Sequence, residues 1–158
     1  MELKFKQKGL FNLREVRVIN EEKRTLYDIE SKSDKFFSAN YEIIIRHSDS
    51  GIELMRMESN ENTHIFYERG QEVFKAYSQP NKGEKDLVFD GKNIEIKSSG
   101  SITTENIILI EGREVAKINR NFFGLTASVQ DQSYELLIVA LVALLMVLSV
   151  GANDFPTD

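Results

Sequence analysis

The stretch YELLIVALVALLMVLSVGANDFPTD, residues 134–158, decides how the rest of the chain is read. From Leu136 to Val150 it carries one polar side chain, Ser149, and no charge. Such a segment is either a membrane anchor or a helix without an exposed face. A spanning helix needs about 20 predominantly apolar residues, with Lys or Arg on its cytoplasmic flank and Trp or Tyr at the interfaces. Here the run is fifteen residues, or seventeen with Gly151 and Ala152, with acid on both flanks, no Trp and only Tyr134 beside it. It is short and wrongly decorated for a bilayer, although its place in the sequence is that of a tail anchor, and that alternative stands beside the core-helix reading. As a core helix over about residues 134–150 it has sensible ends. Ser133 can serve as N-cap, Glu135 falls in the first turn, Gly151 offers a left-handed C-cap, and Pro156 follows.

Composition fits a buried helix. The chain has 158 residues, 41% of them hydrophobic, enough for one substantial core, so residues 1–158 are expected to form a single domain. There is no cysteine, which excludes disulfides and thiol chemistry, removes the commonest structural zinc ligand, and agrees with a cytoplasmic protein. The net charge of -5 argues against a nucleic-acid partner, which would call for a net basic domain or a dense basic stripe. All twenty Lys and Arg lie at or before Arg120, and beyond it the only charges are Asp131, Glu135, Asp154 and Asp158. Residues 1–120 are therefore nearly neutral, twenty basic against the remaining twenty-one acidic side chains. The N-terminal MELKFKQKGLFNLREV alternates charge with single apolar residues and has no continuous apolar run, unlike a secretory signal peptide.

A helix that is apolar all round must be enclosed, and the upstream sequence shows what encloses it. Residues 1–130 carry no convincing 3.6-residue period. Short runs rich in Val, Ile, Phe and Tyr recur instead, separated by turn chemistry. REVRVIN and TLYDIES are joined by the polar EEKR. NYEIIIRH and GIELMRME flank Asp49, Ser50 and Gly51, and THIFYE and QEVFKAYS flank Arg69 and Gly70. KDLVFDGKNIEIKSS contains Asp90 and Gly91, the strongest short-range hairpin signal in the chain, and NIILIEGREVAKINR repeats the design around Glu111 and Gly112. With LTASVQD, an N-terminal strand near Leu3 to Lys8 and one near Glu84 to Phe89, the pattern predicts about twelve strands in successive antiparallel hairpins. An open sheet of that size tends to curl or split, whereas closure removes its edges. The spacing thus predicts a mainly β protein, a closed antiparallel barrel of about twelve strands enclosing one hydrophobic C-terminal helix. The lengths agree. Seventeen helical residues at about 1.5 Å each match strands of about seven residues at about 3.3 Å.

The order of elements, the segment GREVAKINRNFFGLTASV and the closing YELLIVALVALLMVLSVGAND resemble the LURP-one-related proteins, which share the tubby C-terminal fold and a relation to phospholipid scramblases. The resemblance covers the whole chain and is most specific over residues 112–154. There Glu114 to Ile118 are similar to the family's last long strand and Leu136 to Val150 to its hydrophobic helix. It implies a twelve-stranded barrel around a central helix. At NRNFFGLTASV the chain departs from the pattern, with Phe122, Phe123 and Gly124 where relatives often carry Trp and an Asp-Thr-Tyr run. Tubby proteins bind phosphoinositide head groups through basic side chains on the barrel surface, but no motif here carries one of those residues over.

What the residues themselves offer is Lys4, Lys6 and Lys8 at alternating positions, with Arg14 and Arg17 just beyond. In a strand the three Lys share one face while Leu3 and Phe5 point to the other. That face could attract anionic phospholipid at about 1 kcal/mol per residue near a negative surface, or simply keep the barrel exterior soluble. Binding of a protein partner, or a purely structural or regulatory role, is the alternative. Catalysis is not expected. HSDSG places His47, Ser48 and Asp49 together, but sequence neighbours rarely form a triad, and turn chemistry accounts for Asp-Ser-Gly. His64 has no second ligand at a metal spacing, there is no phosphate-cradling Gly-rich loop and no EF-hand spacing, so neither metal nor cofactor is expected. A barrel plugged by its own helix also leaves no lumen for a small-molecule substrate.

Overall fold

Each of the alternating segments becomes a strand in a computed structural model, which describes residues 1–7, 15–33, 40–78, 87–98, 105–121 and 124–151. The strands are β1 (Glu2–Gln7), β2 (Glu15–Ile19), β3 (Thr25–Ser33), β4 (Asn40–His47), β5 (Glu53–Asn60) and β6 (Thr63–Glu68). They continue with β7 (Gln71–Ser78), β8 (Leu87–Asp90), β9 (Ile94–Ser98), β10 (Glu105–Ile110), β11 (Arg113–Asn121) and β12 (Gly124–Val129). A short 3-10 turn, Gln132–Tyr134, then leads into helix α1 (Glu135–Gly151).

All twelve strands belong to one antiparallel sheet in the order β8-β7-β6-β5-β4-β3-β2-β1-β12-β11-β10-β9. Every ladder but one joins neighbours in sequence. The exception, β1 with β12, pairs Glu2 with Ser128 and Phe5 with Leu125 and so draws the two ends of the strand region together. The period-2 pattern sets the register. On β1, Leu3 and Phe5 are buried while Lys4 and Lys6 are exposed, and on β2, Val16 and Val18 are buried while Glu15 and Arg17 are exposed. Slipping any of these ladders by one residue would turn its apolar set out to water. Tight hairpins fix the twist. Arg69-Gly70 and Glu111-Gly112 turn with both central residues at positive φ, 53° and 78° in the first and 53° and 77° in the second, the geometry that suits the right-handed twist of flanking strands.

Helix α1 lies inside this wall. From Leu137 to Leu144 no residue is more than 8% exposed, and inward-facing Ile43, Met57, Phe66, Phe74, Ile108 and Ile118 belong to the same core. No helix among the described residues is long and apolar enough to cross a membrane. Over Leu137–Leu144 the segment's missing polar face is met by protein, while Leu136, Leu145, Val147 and Leu148 are partly buried. One bond fixes its entry: the Tyr27 hydroxyl on β3 donates to the Glu135 carboxylate in the first turn of α1. Burial and that carboxylate push the Tyr27 phenol far above its ordinary range, so it stays a donor.

The twelve strands form the expected barrel, nearly closed, with β8 and β9 the two edges of its sheet and not paired with each other. Three expectations need correction. Asp90-Gly91 does not make a hairpin. Gly91, at φ +97°, sits where a Cβ would lie 3.3 Å from the Phe74 α-carbon and the Val73 carbonyl of β7, while the Asn93 carbonyl accepts from the Glu111 amide at 3.0 Å. The corner is pinned to β7 on one side and to the β10–β11 hairpin on the other. At the helix start the cap is Asp131, whose carboxylate accepts from the Ser133 amide at 3.1 Å to begin the 3-10 turn, and not Ser133. Gly151, expected just past the helix, is its last helical residue.

Candidate anion-binding site

Of the predicted basic face, Lys4, Lys6 and Arg17 are described, and all three are exposed. Lys4 and Lys6 project from the barrel exterior, and the ladder sets Lys6 directly opposite Arg17, which is also exposed. On its other side Lys4 lies opposite Thr126 of β12, and Thr126 lies opposite Asn119 of β11. Lys117 sits one row further, opposite Ser128. The strip is therefore Arg17, Lys6 and Lys4, edged by Thr126 on the β12 side and by the Asp28 carboxylate, directly opposite Arg17, on the β3 side, with exposed Glu2 and Glu15 at its margins. Lys8 and Arg14 lie outside the described residues. Among the described residues, Lys4, Lys6 and Arg17 take part in no ion pair. Two like charges directly opposite across a ladder are destabilising, and Asp28, opposite Arg17 across the next ladder, offsets the Arg17 side of that juxtaposition while Lys6 keeps no opposite anion.

The neighbouring exterior is built the other way. On β3, β4 and β5 the charges are matched: Arg46 bonds Glu30 at 2.6 Å, and Arg56 holds Glu53 at 2.6 Å and Glu42 at 3.0 Å. The Arg46 hydrogen bond holds the Glu30 carboxyl below the usual carboxylate range. Beneath this lattice Ile44, on the outward side of β4, is covered to 2% exposure. Such half-exposed pairs contribute little each and are salt-sensitive. Their relevance here is contrast: a flank whose charges are ion-paired beside a strip whose two lysines are not.

The polar residues weighed for catalysis do not converge. Asp49 is engaged by Arg24 at 3.0 Å, and the His47 Nδ1 accepts from the Ser50 amide at 3.5 Å, so HSDSG is a turn tied to its own backbone. Among the described residues no group of three or more His, Cys, Asp or Glu side chains is placed to hold a metal ion. The sequence reading missed the role of His64. Together with Tyr41, Ser59 and Ala76 it forms one inward-facing cross-strand row on β4 to β7. It is fully buried, with Nδ1 2.7 Å from Ser59 Oγ and 3.4 Å from the Tyr41 hydroxyl, and Nε2 3.3 Å from Ser78 Oγ. Desolvation lowers its pKa to about 4, so the ring is neutral at physiological pH and exchanges hydrogen bonds with hydroxyls alone. Ser59 and His64 have the spacing of a nucleophile and base, but the ring's other nitrogen meets a hydroxyl instead of an orienting carboxylate, and both residues are buried. The period-2 pattern, in which His64 falls on the same face as Phe66, was the available signal.

The fold is thus that of a helix-filled antiparallel β-barrel. The sequence matches no family model and no curated protein. Among solved structures, the X-ray structure of a protein from Arabidopsis thaliana is similar to it with a TM-score of 0.61, over 91% of this chain and 88% of that one, at 11% identity. At that identity the likeness shows a shared fold.

Proposed function

We propose that this chain is a non-catalytic, tubby-like β-barrel domain of the LURP-one-related kind that docks peripherally on an anionic phospholipid surface through Lys4, Lys6 and Arg17. The observation that carries the reading is the exposed Lys6–Arg17 pair, directly opposed across β1 and β2, with Asp28 on the far side of Arg17 and no anion opposite Lys4 or Lys6, beside a flank whose charges are matched. A negative bilayer supplies counter-charge to Lys4 and Lys6 without requiring a pocket. The shared architecture with the plant protein and the motif resemblance over residues 112–154 support the family placement.

At about 1 kcal/mol per cation near an anionic surface, three cations amount to about 3 kcal/mol, or about 150-fold in partitioning. The test is co-flotation with vesicles of phosphatidylcholine alone or mixed with phosphatidylserine. Binding is expected only to the mixed vesicles, weakening as salt shortens the screening length, and abolished by the triple variant K4E/K6E/R17E. Equal flotation of the wild type and the triple variant would refute the proposal, as would no flotation at low salt.

A further inference from the structure

We infer that the bilayer-facing surface runs from Lys4 and Lys6 across β12 onto β11, with Lys117 as a further cation, and does not run onto β3. This rests on the lipid-docking reading above and adds to it which wall of the barrel meets the headgroups. The two sides of the strip differ in chemistry. Across the β2–β3 ladder Arg17 faces Asp28, and beyond it Glu30, Glu42 and Glu53 are held by Arg46 and Arg56. Turning that side to an anionic surface sets carboxylates against it and strips water from ion pairs, and both are unfavourable. Across the β1–β12 ladder Lys4 faces Thr126 instead. Strand β12, GLTASV, carries no charged residue, and with Leu125, Ala127 and Val129 buried its outward side chains are Thr126 and Ser128. Their β11 partners are Asn119 and Lys117. Hydroxyl and amide groups can donate to phosphate oxygens without opposing them with charge.

Lys117 completes that side. Ala116 and Ile118 on either side of it are buried, so by alternation Lys117 faces outward, and among the described residues it takes part in no ion pair. In its cross-strand row Lys97, Ile107, Lys117 and Ser128 lie side by side on β9 to β12. Lys97 is paired with Glu95 at 3.6 Å, so the unpaired cations of this row end at Lys117. Two acids mark the margins, Glu2 opposite Ser128 and Glu105 opposite Asn119. Strands β1 and β11 lie about 10 Å apart across β12. Lys4, Lys6 and Lys117 thus frame a patch of hydroxyl and amide groups that a headgroup layer can cover without breaking an ion pair.

The test compares two single variants that remove the same charge, Lys117→Gln on β11 and Lys32→Gln on β3, where Lys32 is exposed and lies 3.7 Å from Glu30. Partitioning of the full chain is measured on vesicles of phosphatidylcholine mixed with phosphatidylserine at low salt. Lys117→Gln should weaken it about fivefold, the share of one cation near an anionic surface, and Lys32→Gln should leave it unchanged. Equal losses in the two variants mean that net charge alone acts, and they overturn the inference. Flotation that K4E/K6E/R17E abolishes and Lys117→Gln leaves intact overturns the inference and spares the docking reading, whereas a wild type that never floats overturns both. A second measurement uses bicelles of the same two lipids with a headgroup spin label. Amide resonances of residues 117–119 and 126–128 should broaden more than those of residues 28–32, and the reverse order overturns the inference.

Discussion

Protonating His64 should destabilise this barrel, and the size of the effect follows from the site. The ring is enclosed by Tyr41, Ser59 and Ser78, which offer hydroxyls and no negative charge, and desolvation lowers its pKa from 6.5 to about 4. The native state therefore binds fewer protons than the unfolded chain between those two values. The stabilisation is complete above pH 6.5 and is lost as pH falls through the interval to about 4. For one site with these constants, about 2 kcal/mol is lost on going from pH ~7.5 to pH ~5, approaching about 3 kcal/mol near pH 4. Carboxylates such as Glu30 and Asp131, both held low by hydrogen bonds, also lose their contributions in acid, so the measurement must be a difference. His64→Gln keeps an amide able to bond the same hydroxyls and removes the titration. Urea unfolding of both proteins across this range isolates the term. The stability of the wild type minus that of the variant should fall by about 2 kcal/mol between pH ~7.5 and ~5. A difference that stays flat within about 0.5 kcal/mol would show that the buried row tolerates an imidazolium and would refute the argument.

The remaining predictions concern packing. Leu141 lies fully buried in the middle of α1, and Leu141→Ala should cost about 2 to 5 kcal/mol, read by thermal or urea unfolding, because the barrel wall on every side limits collapse onto the cavity. Gly91→Ala should destabilise by more than Gly70→Ala. Both positions have positive φ, but only at Gly91 does the new Cβ meet backbone at 3.3 Å, and equal losses in urea unfolding would discount the close approach. Tyr27→Phe removes the donor to Glu135 and should lower stability by about 1 to 3 kcal/mol, with amide exchange speeding up first in residues 132–138.

Local periodicity made most of the wall legible. NYEIIIRH, THIFYE and QEVFKAYS coincide with β4, β6 and β7 to the residue, because alternating burial and flanking turns are local properties. The helix was legible for the opposite reason, since only complete enclosure suits a segment with no polar face. Asp90-Gly91 misled because its turn preference is overridden by contacts with β7 and with Glu111, which lie outside the dipeptide. Lys4, Lys6 and Arg17 were visible as charges, but the opposition of Lys6 and Arg17 depends on the β1–β2 register. The bonds to His64 come from three different strands, β4, β5 and β7.

Helix α1 follows all twelve strands in the chain. A ribosome therefore delivers the whole wall before the filling that stabilises it. Hairpins between sequence neighbours can form as they emerge, but their apolar faces have nothing to bury against, and the β1–β12 ladder joins segments made some 120 residues apart. The apolar face of the sheet is covered only once this last segment has been made. Its window of greatest exposure to chaperones and proteases lies between synthesis of β12 and the burial of Leu141.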